Sequence, residues 1–345
     1  MNQMTNILKS RYSLLNWYLS LKSEILLQEG NHRIEFFAHL ISDMFNNFTY
    51  EEKKQKDLLA ETVKFSLDEI RSENINYYFK EISKNIFQIE EYIDLFSIHG
   101  SYSDNSYKIG WSDVDTFLII NRKSCKDPSS LLEIRKICIS IEKLFLKICP
   151  LQHHGVISIG ADDLELYDSH YLPIPVVESS KHIYRRKQPI KYSQNNKVSG
   201  AYYSLLDRYK HIKAAEKSGI YMHHPFKQTG LPIEHKKLSY HMYQLFCFLG
   251  YLMTSPAYFL DAIGKPTTKK DSFSKISDYF SYDQLEIIFI ASEIRKIWPE
   301  KIGIDYQLNY IPQWLLKTLP KDYFQKSKLL FELFLNKISE VRELN

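Results

Sequence analysis

Ile98-His99-Gly100-Ser101, separated by eleven residues from Asp113-Val114-Asp115 and the apolar run Thr116-Phe117-Leu118-Ile119-Ile120, is the stretch whose reading decides the fold. Side chains alternate faces along a strand, so two aspartates one residue apart at a strand start project to the same side. Carboxylates aimed that way can clamp a divalent cation. The upstream Gly-Ser lets the backbone pass close to a polyphosphate and offers free N–H groups and a hydroxyl where a strand turns into a helix.

Each half has a plainer reading. Gly-Ser is commonly a turn, and Asp-x-Asp is common on solvated loops. The combination is more specific. Asp113 and Asp115 lead into Phe117 and Ile119 on one strand face and Val114, Leu118 and Ile120 on the other. A strand apolar on both faces is buried. Carboxylates at its start need cations or hydrogen-bond donors to compensate them, which points to a metal.

With these residues the chain resembles the DNA polymerase β-like nucleotidyltransferase superfamily, over residues 90–160 and more loosely into the C-terminal half. The resemblance implies that Gly100 and Ser101 contact nucleotide phosphates and that Asp113 and Asp115 hold Mg²⁺ or Mn²⁺, with a nucleoside triphosphate as co-substrate. It also implies a third carboxylate on the strand that follows the next helix. Asp127-Pro128-Ser129 reads as the start of that helix, with Leu131, Ile134, Ile137, Ile141, Leu144, Phe145 and Ile148 at helical spacing and Pro150 beyond its end. The strand is then expected from about Leu151 to Ile159, where Gln152, His153, His154 and Gly155 stand and no acid occurs.

Three alternatives remain open at this point. His153 or His154 replaces the carboxylate as ligand or base, strand alternation allowing only one of them to face the aspartates. Asp162, Asp163 or Asp168 folds back into the site, although Asp162-Asp163 also suits the cap of a short helical turn at Leu164–Tyr167. Or the acid is lost and the domain only binds nucleotide.

Composition is that of a chain able to bury a sizeable core. The 345 residues suggest two or three domains, and a net charge of only +4 argues against long nucleic acid as a partner. Cys125, Cys138, Cys149 and Cys247 show no Cys-x-x-Cys spacing, which suits reduced thiols in a cytoplasm. Met1–Leu27 is broken by Asn, Lys, Arg and Glu, so no signal peptide is read. The longest apolar stretch, Tyr243–Met253, is shorter than the ~20 residues a membrane span needs.

Outside the central sheet the patterning is helical. Residues 1–90 form a helical N-terminal extension, with Leu8, Tyr12, Leu15, Tyr18 and Leu19 on one face and Ile34, Phe37, Ile41, Met44 and Phe45 on another. The α/β sheet domain occupies 91–180 and ends near Tyr171–Pro175. Lys181–Val198, with Arg185, Arg186, Lys187, Lys191 and Lys197, reads as a basic connection. Residues 199–345 form an α-helical bundle, with helices at Leu238–Leu252, Gln284–Trp298 and Tyr323–Val341. In its Gly264–Phe273 segment, Asp271-Ser272 suits a helix cap. In two-domain nucleotidyltransferases Lys and Ser from the helical domain touch the β- and γ-phosphates, and Lys269, Lys270 and Ser272 are similar in kind. His223-His224 reads as structural.

The expected activity is therefore transfer of NMP from an NTP to an acceptor that the sequence does not identify, a small molecule, protein or nucleotide, with release of pyrophosphate. The competing expectations are a catalytically impaired nucleotide- or partner-binding module and a defence or toxin–antitoxin component that modifies RNA or protein.

Overall fold

The computed structural model describes residues 3–27, 31–47, 56–58, 63–149, 151–152, 154–168, 171–193, 200–221, 231–232, 242–302 and 313–343. Strands in chain order are β1 (Lys56–Leu58), β2 (Val63–Lys64), β3 (Ile93–His99), β4 (Asp115–Ile120), β5 (Ile157–Gly160), β6 (Lys181–Arg185), β7 (Ile190–Tyr192), β8 (Ile220–Tyr221) and β9 (Leu231–Pro232). The helices of the first half are α1 (Gln3–Leu19), α2 (Leu21–Leu27), α3 (Asn31–Asn46), α4 (Glu73–Phe87), α5 (Gly100–Ser103), α6 (Arg122–Cys125), α7 (Pro128–Ile148) and α8 (Ile174–Glu178). Those of the second half are α9 (Gly200–Ser218), α10 (Met242–Ala262), α11 (Lys269–Lys275), α12 (Tyr282–Ile302), α13 (Gln313–Thr318) and α14 (Tyr323–Glu343).

The chain forms two compact units, Met1–Tyr107 with Ser112–Asn196, and Lys108–Trp111 with Lys197–Asn345. The first is built on a mixed five-stranded sheet in the order β2-β6-β3-β4-β5. Within it β3 runs antiparallel to both β4 and β6, and β4 runs parallel to β5. As its sequence predicts, β4 is buried on both faces from Thr116 to Ile120. Phe117 and Ile119 join Leu95, Ile159, Tyr167 and Tyr192 in the core on one side. The parallel β4–β5 connection is carried by α7, whose start is the expected one: Asp127 accepts from the N–H groups of Ser129 and Ser130, and Pro128 occupies the first turn.

Three boundaries differ from the sequence reading. The helical stretch before residue 90 is no separate extension: Leu15, Tyr18, Leu19, Ile41 and Phe45 are buried within the sheet unit, and β1 and β2 also lie there. Lys181–Val198 is no mere connection and the sheet domain does not end at 180, because β6 lies inside the sheet and β7 pairs with β1. The apolar signal in β6 is weak because only Ile183 is fully buried while its neighbours are half-buried. Finally, β5 starts at Ile157 instead of Leu151, and the acidic turn after it spans Ala161–Leu166, earlier than Leu164–Tyr167.

Side chains stitch the N-terminal helices to the sheet. Asn16 of α1 donates from its amide to the carbonyl of Ser158 (2.8 Å) and accepts from the Ser158 N–H (2.7 Å). Arg11 forms a buried ion pair with Asp163, its guanidinium 4.4 Å from the centre of the Phe45 ring. Asp163 also accepts from the Gly160 N–H.

The second unit is helical, as expected from residue 199 onward. Trp298 of α12 donates its indole N–H to the Gly110 carbonyl (2.8 Å) and meets Trp111 edge-on. Helix α10 extends past the expected Leu252, and its Gln244–Ala262 stretch is long and apolar enough to cross a membrane, yet 78% of it is buried inside the protein, as in a core helix. All four cysteines are buried and none is in a disulfide. His223-His224 lie outside the described residues.

Candidate metal centre

The site begins where β3 ends. His99 is still extended, and Gly100 then turns the chain with φ +66°, a left-handed conformation that glycine adopts without steric cost. His99 pairs with Asp115 across the sheet, bringing this turn against the first residue of β4. A Cβ on Gly100 would lie 2.3 Å from Asp115 Oδ2, so a glycine is required here for space as well as for φ.

Asp113, Asp115 and His154 meet at this edge. His154 Nε2 is 2.8 Å from Asp115 Oδ1 and 3.2 Å from Asp113 Oδ2, all three side chains being partly buried. One ligand atom from each lies within 4.8 Å of the other two, a spacing that suits one shared cation. Two carboxylate oxygens and an imidazole nitrogen form a donor set that could hold a metal ion.

His154 lies shortly before β5, in the stretch that also holds Gln152 and Gly155. His154 Nδ1 lies 3.2 Å from the Gly155 carbonyl and 3.5 Å from the Gln152 amide nitrogen, while Nε2 faces the carboxylates. Burial would lower the imidazole pKa, but hydrogen bonds to Asp113 and Asp115, reinforced by their charges, hold it well above the ordinary 6.5. A cationic His154 thus bridges the two aspartates when no other cation does. His99 is the opposite case: burial pushes its pKa below 6.5 despite the charge of Asp115, which leaves a neutral ring behind the site.

Two residues that sequence reasoning passed over anchor this stretch. Gln152, noted there only as a non-acid, accepts from the Val114 N–H (2.8 Å) and donates to the Val114 and His154 carbonyls (3.1 and 2.8 Å). Glu142 of α7 accepts from the N–H groups of Leu21 (2.8 Å) and Val156 (3.3 Å). Burial raises the Glu142 pKa against those two hydrogen bonds. Gly155 lies so close that a Cβ there would stand 1.7 Å from Glu142 Oε1. Neither contact has a signature in sequence, since both join residues distant along the chain.

The other candidate residues fall as follows. His153 lies outside the described residues. Asp162 is paired with Arg122 (2.5 Å) and Lys126 (3.4 Å), and Asp163 with Arg11, so neither is the missing acid. Among the described residues Asp168 is not part of the converging group. Ser101 is half-buried at the start of α5. Lys269 and Lys270 are exposed on α11 of the helical unit. Ser272 is buried there, its hydroxyl donating to the Lys269 carbonyl (2.6 Å), and the cap of α11 is Thr268, which accepts from the Asp271 N–H, not Asp271-Ser272. The Cys149 thiol, pushed up to about 12 by burial and by the charge of Asp113, is no nucleophile.

No family model, curated protein or solved structure matches this chain.

Proposed function

We propose that this protein is a divalent-metal-dependent nucleotidyltransferase that moves NMP from a nucleoside triphosphate to an acceptor and releases pyrophosphate. One observation carries the reading: Asp113, Asp115 and His154 converge, beside the Gly100-Ser101 turn, on a point where one cation can be shared. The Gly-Ser turn and the Asp-x-Asp strand thus adjoin in space as well as in the pattern of the polymerase β-like superfamily, and His154 stands in for the third acid.

A bound divalent ion neutralises charge on the transferring phosphoryl group and lowers the pKa of an acceptor hydroxyl. Asp113 and Asp115 supply the negative charge that retains it. His154, neutral once it has given up its proton, supplies a nitrogen donor at Nε2 or takes the acceptor's proton there. Gly100 leaves room for phosphate oxygens to approach the backbone, and the Ser101 hydroxyl is at hand for a hydrogen bond.

The test is Mn²⁺-dependent binding of α-labelled nucleoside triphosphates, followed by a search for label on the protein, on small molecules and on RNA. Binding that requires Mn²⁺ and disappears in Asp113→Asn and Asp115→Asn, with label transfer, is the expected result. Nucleotide binding indifferent to both changes overturns the proposal. Metal-dependent binding without transfer to any acceptor identifies a nucleotide-binding module instead.

A further inference from the structure

We infer that Gln152 is the positioning residue of the metal centre: its one amide group locks the peptide between the two aspartates to the stretch that carries His154. The inference rests on the metal-centre reading above and adds to it the element that sets the ligand spacing.

The argument starts from the sheet. Ladder pairing between β4 and β5 begins only at Phe117 and Ile157, so Val114 has no strand partner in β5. Gln152 takes that place. Its Oε1 accepts from the Val114 N–H at 2.8 Å and its Nε2 donates to the Val114 carbonyl at 3.1 Å, which imitates the two-bond pairing of an adjacent strand. Val114 is fully buried, so both of its backbone groups need partners. The peptide that precedes β4 is therefore held in place by a side chain, and the carboxylates that flank it, on Asp113 and Asp115, both face His154.

The second amide proton of Gln152 goes to the His154 carbonyl at 2.8 Å. One planar group thereby ties the centre of the Asp-x-Asp segment to the backbone of the third ligand. Amide planarity fixes the angle between these bonds, so the separation of His154 from the aspartates is set by a rigid element. Such supporting partners typically contribute tenfold or more to metal affinity.

The experiment compares Mn²⁺ affinity by calorimetry in the full chain, in Gln152→Ala, in Gln152→Met, which keeps length without hydrogen bonding, and in Asp115→Asn. Amide exchange is followed in parallel. The expected result is roughly a tenfold or larger loss of Mn²⁺ affinity in both Gln152 variants. The Val114 amide should exchange faster while those of Phe117–Ile119 stay protected, which separates positioning from unfolding. Should Gln152→Ala not fold, Gln152→Met carries the comparison. Wild-type Mn²⁺ affinity in the Gln152 variants overturns the inference and leaves the metal centre standing. Absence of Asp115-dependent Mn²⁺ binding in the unaltered chain overturns both.

Discussion

Gly100, the residue that follows β3, stands so close to Asp115, the first residue of β4, that a methyl group on the glycine would lie 2.3 Å from Oδ2. Gly100→Ala therefore combines this collision with a left-handed φ of +66°, which costs a non-glycine residue about 1–2 kcal/mol. The expected outcome is a folded but less stable protein whose Asp115 carboxylate is displaced. Urea unfolding and Mn²⁺ titration together read both effects, and unchanged Mn²⁺ affinity in Gly100→Ala counts against the placement of Asp115.

Asp113→Asn and Asp115→Asn each remove a negative ligand at constant size. Metal-dependent nucleotide turnover should fall to background in both, while thermal unfolding shifts little, because each aspartate–His154 pair is partly exposed and worth at most about 1 kcal/mol. Wild-type turnover with Mn²⁺ in either variant contradicts the assignment.

Acidity sets the balance between proton and metal at His154. Its pKa in the folded chain is raised above 6.5, so the pair with the aspartates stabilises the metal-free fold fully below about pH 6.5 and ceases to do so as pH rises through the raised value. Metal binding has the opposite sign, since the imidazole must lose its proton to ligate. Mn²⁺ affinity should rise with pH across that interval, with proton uptake by the buffer visible as a dependence of binding heat on buffer ionisation enthalpy. His154→Ala should abolish this linkage, and a pH-independent affinity in the unaltered chain contradicts it.

The Glu142–Gly155 contact should behave as a structural clasp. A methyl group at Gly155 would sit 1.7 Å from Glu142 Oε1, so Gly155→Ala must move the carboxylate off the Leu21 and Val156 N–H groups. Stranding buried donors costs about 1–3 kcal/mol. Chemical denaturation measures the loss, which Glu142→Gln should reproduce in part, because a side-chain amide keeps only one acceptor.

Strand β4 was legible because an apolar run buried on both faces leaves an unambiguous pattern. Helix α7 was legible because Asp127-Pro128 is a start signal with a local mechanism. Strand β6 was not: one buried residue, Ile183, among half-buried polar and charged neighbours resembles a solvated loop until the partner strands are known. The residues that precede β5 illustrate the same limit within the site. His154 is a candidate on the premise of strand alternation, yet it lies ahead of β5 and outside any strand, where its backbone carbonyl is held by Gln152 and its ring lies against the Gly155 carbonyl. What fixes Gln152 in turn is its pairing with Val114, 38 positions away, a tertiary contact that chain order alone does not reveal.

The pairing of Asn16 with Ser158 has a consequence for the order of assembly. The two residues are 142 positions apart, and the amide of the first fills the hydrogen-bonding row that β5 would otherwise present. During synthesis Asn16 emerges long before its partner exists, so the border of the sheet is closed by a contact that forms late. Until then β5, once made, offers a free border to any extended chain nearby. Asn16 thus closes an edge of β5 that would otherwise stay open to pairing with another chain.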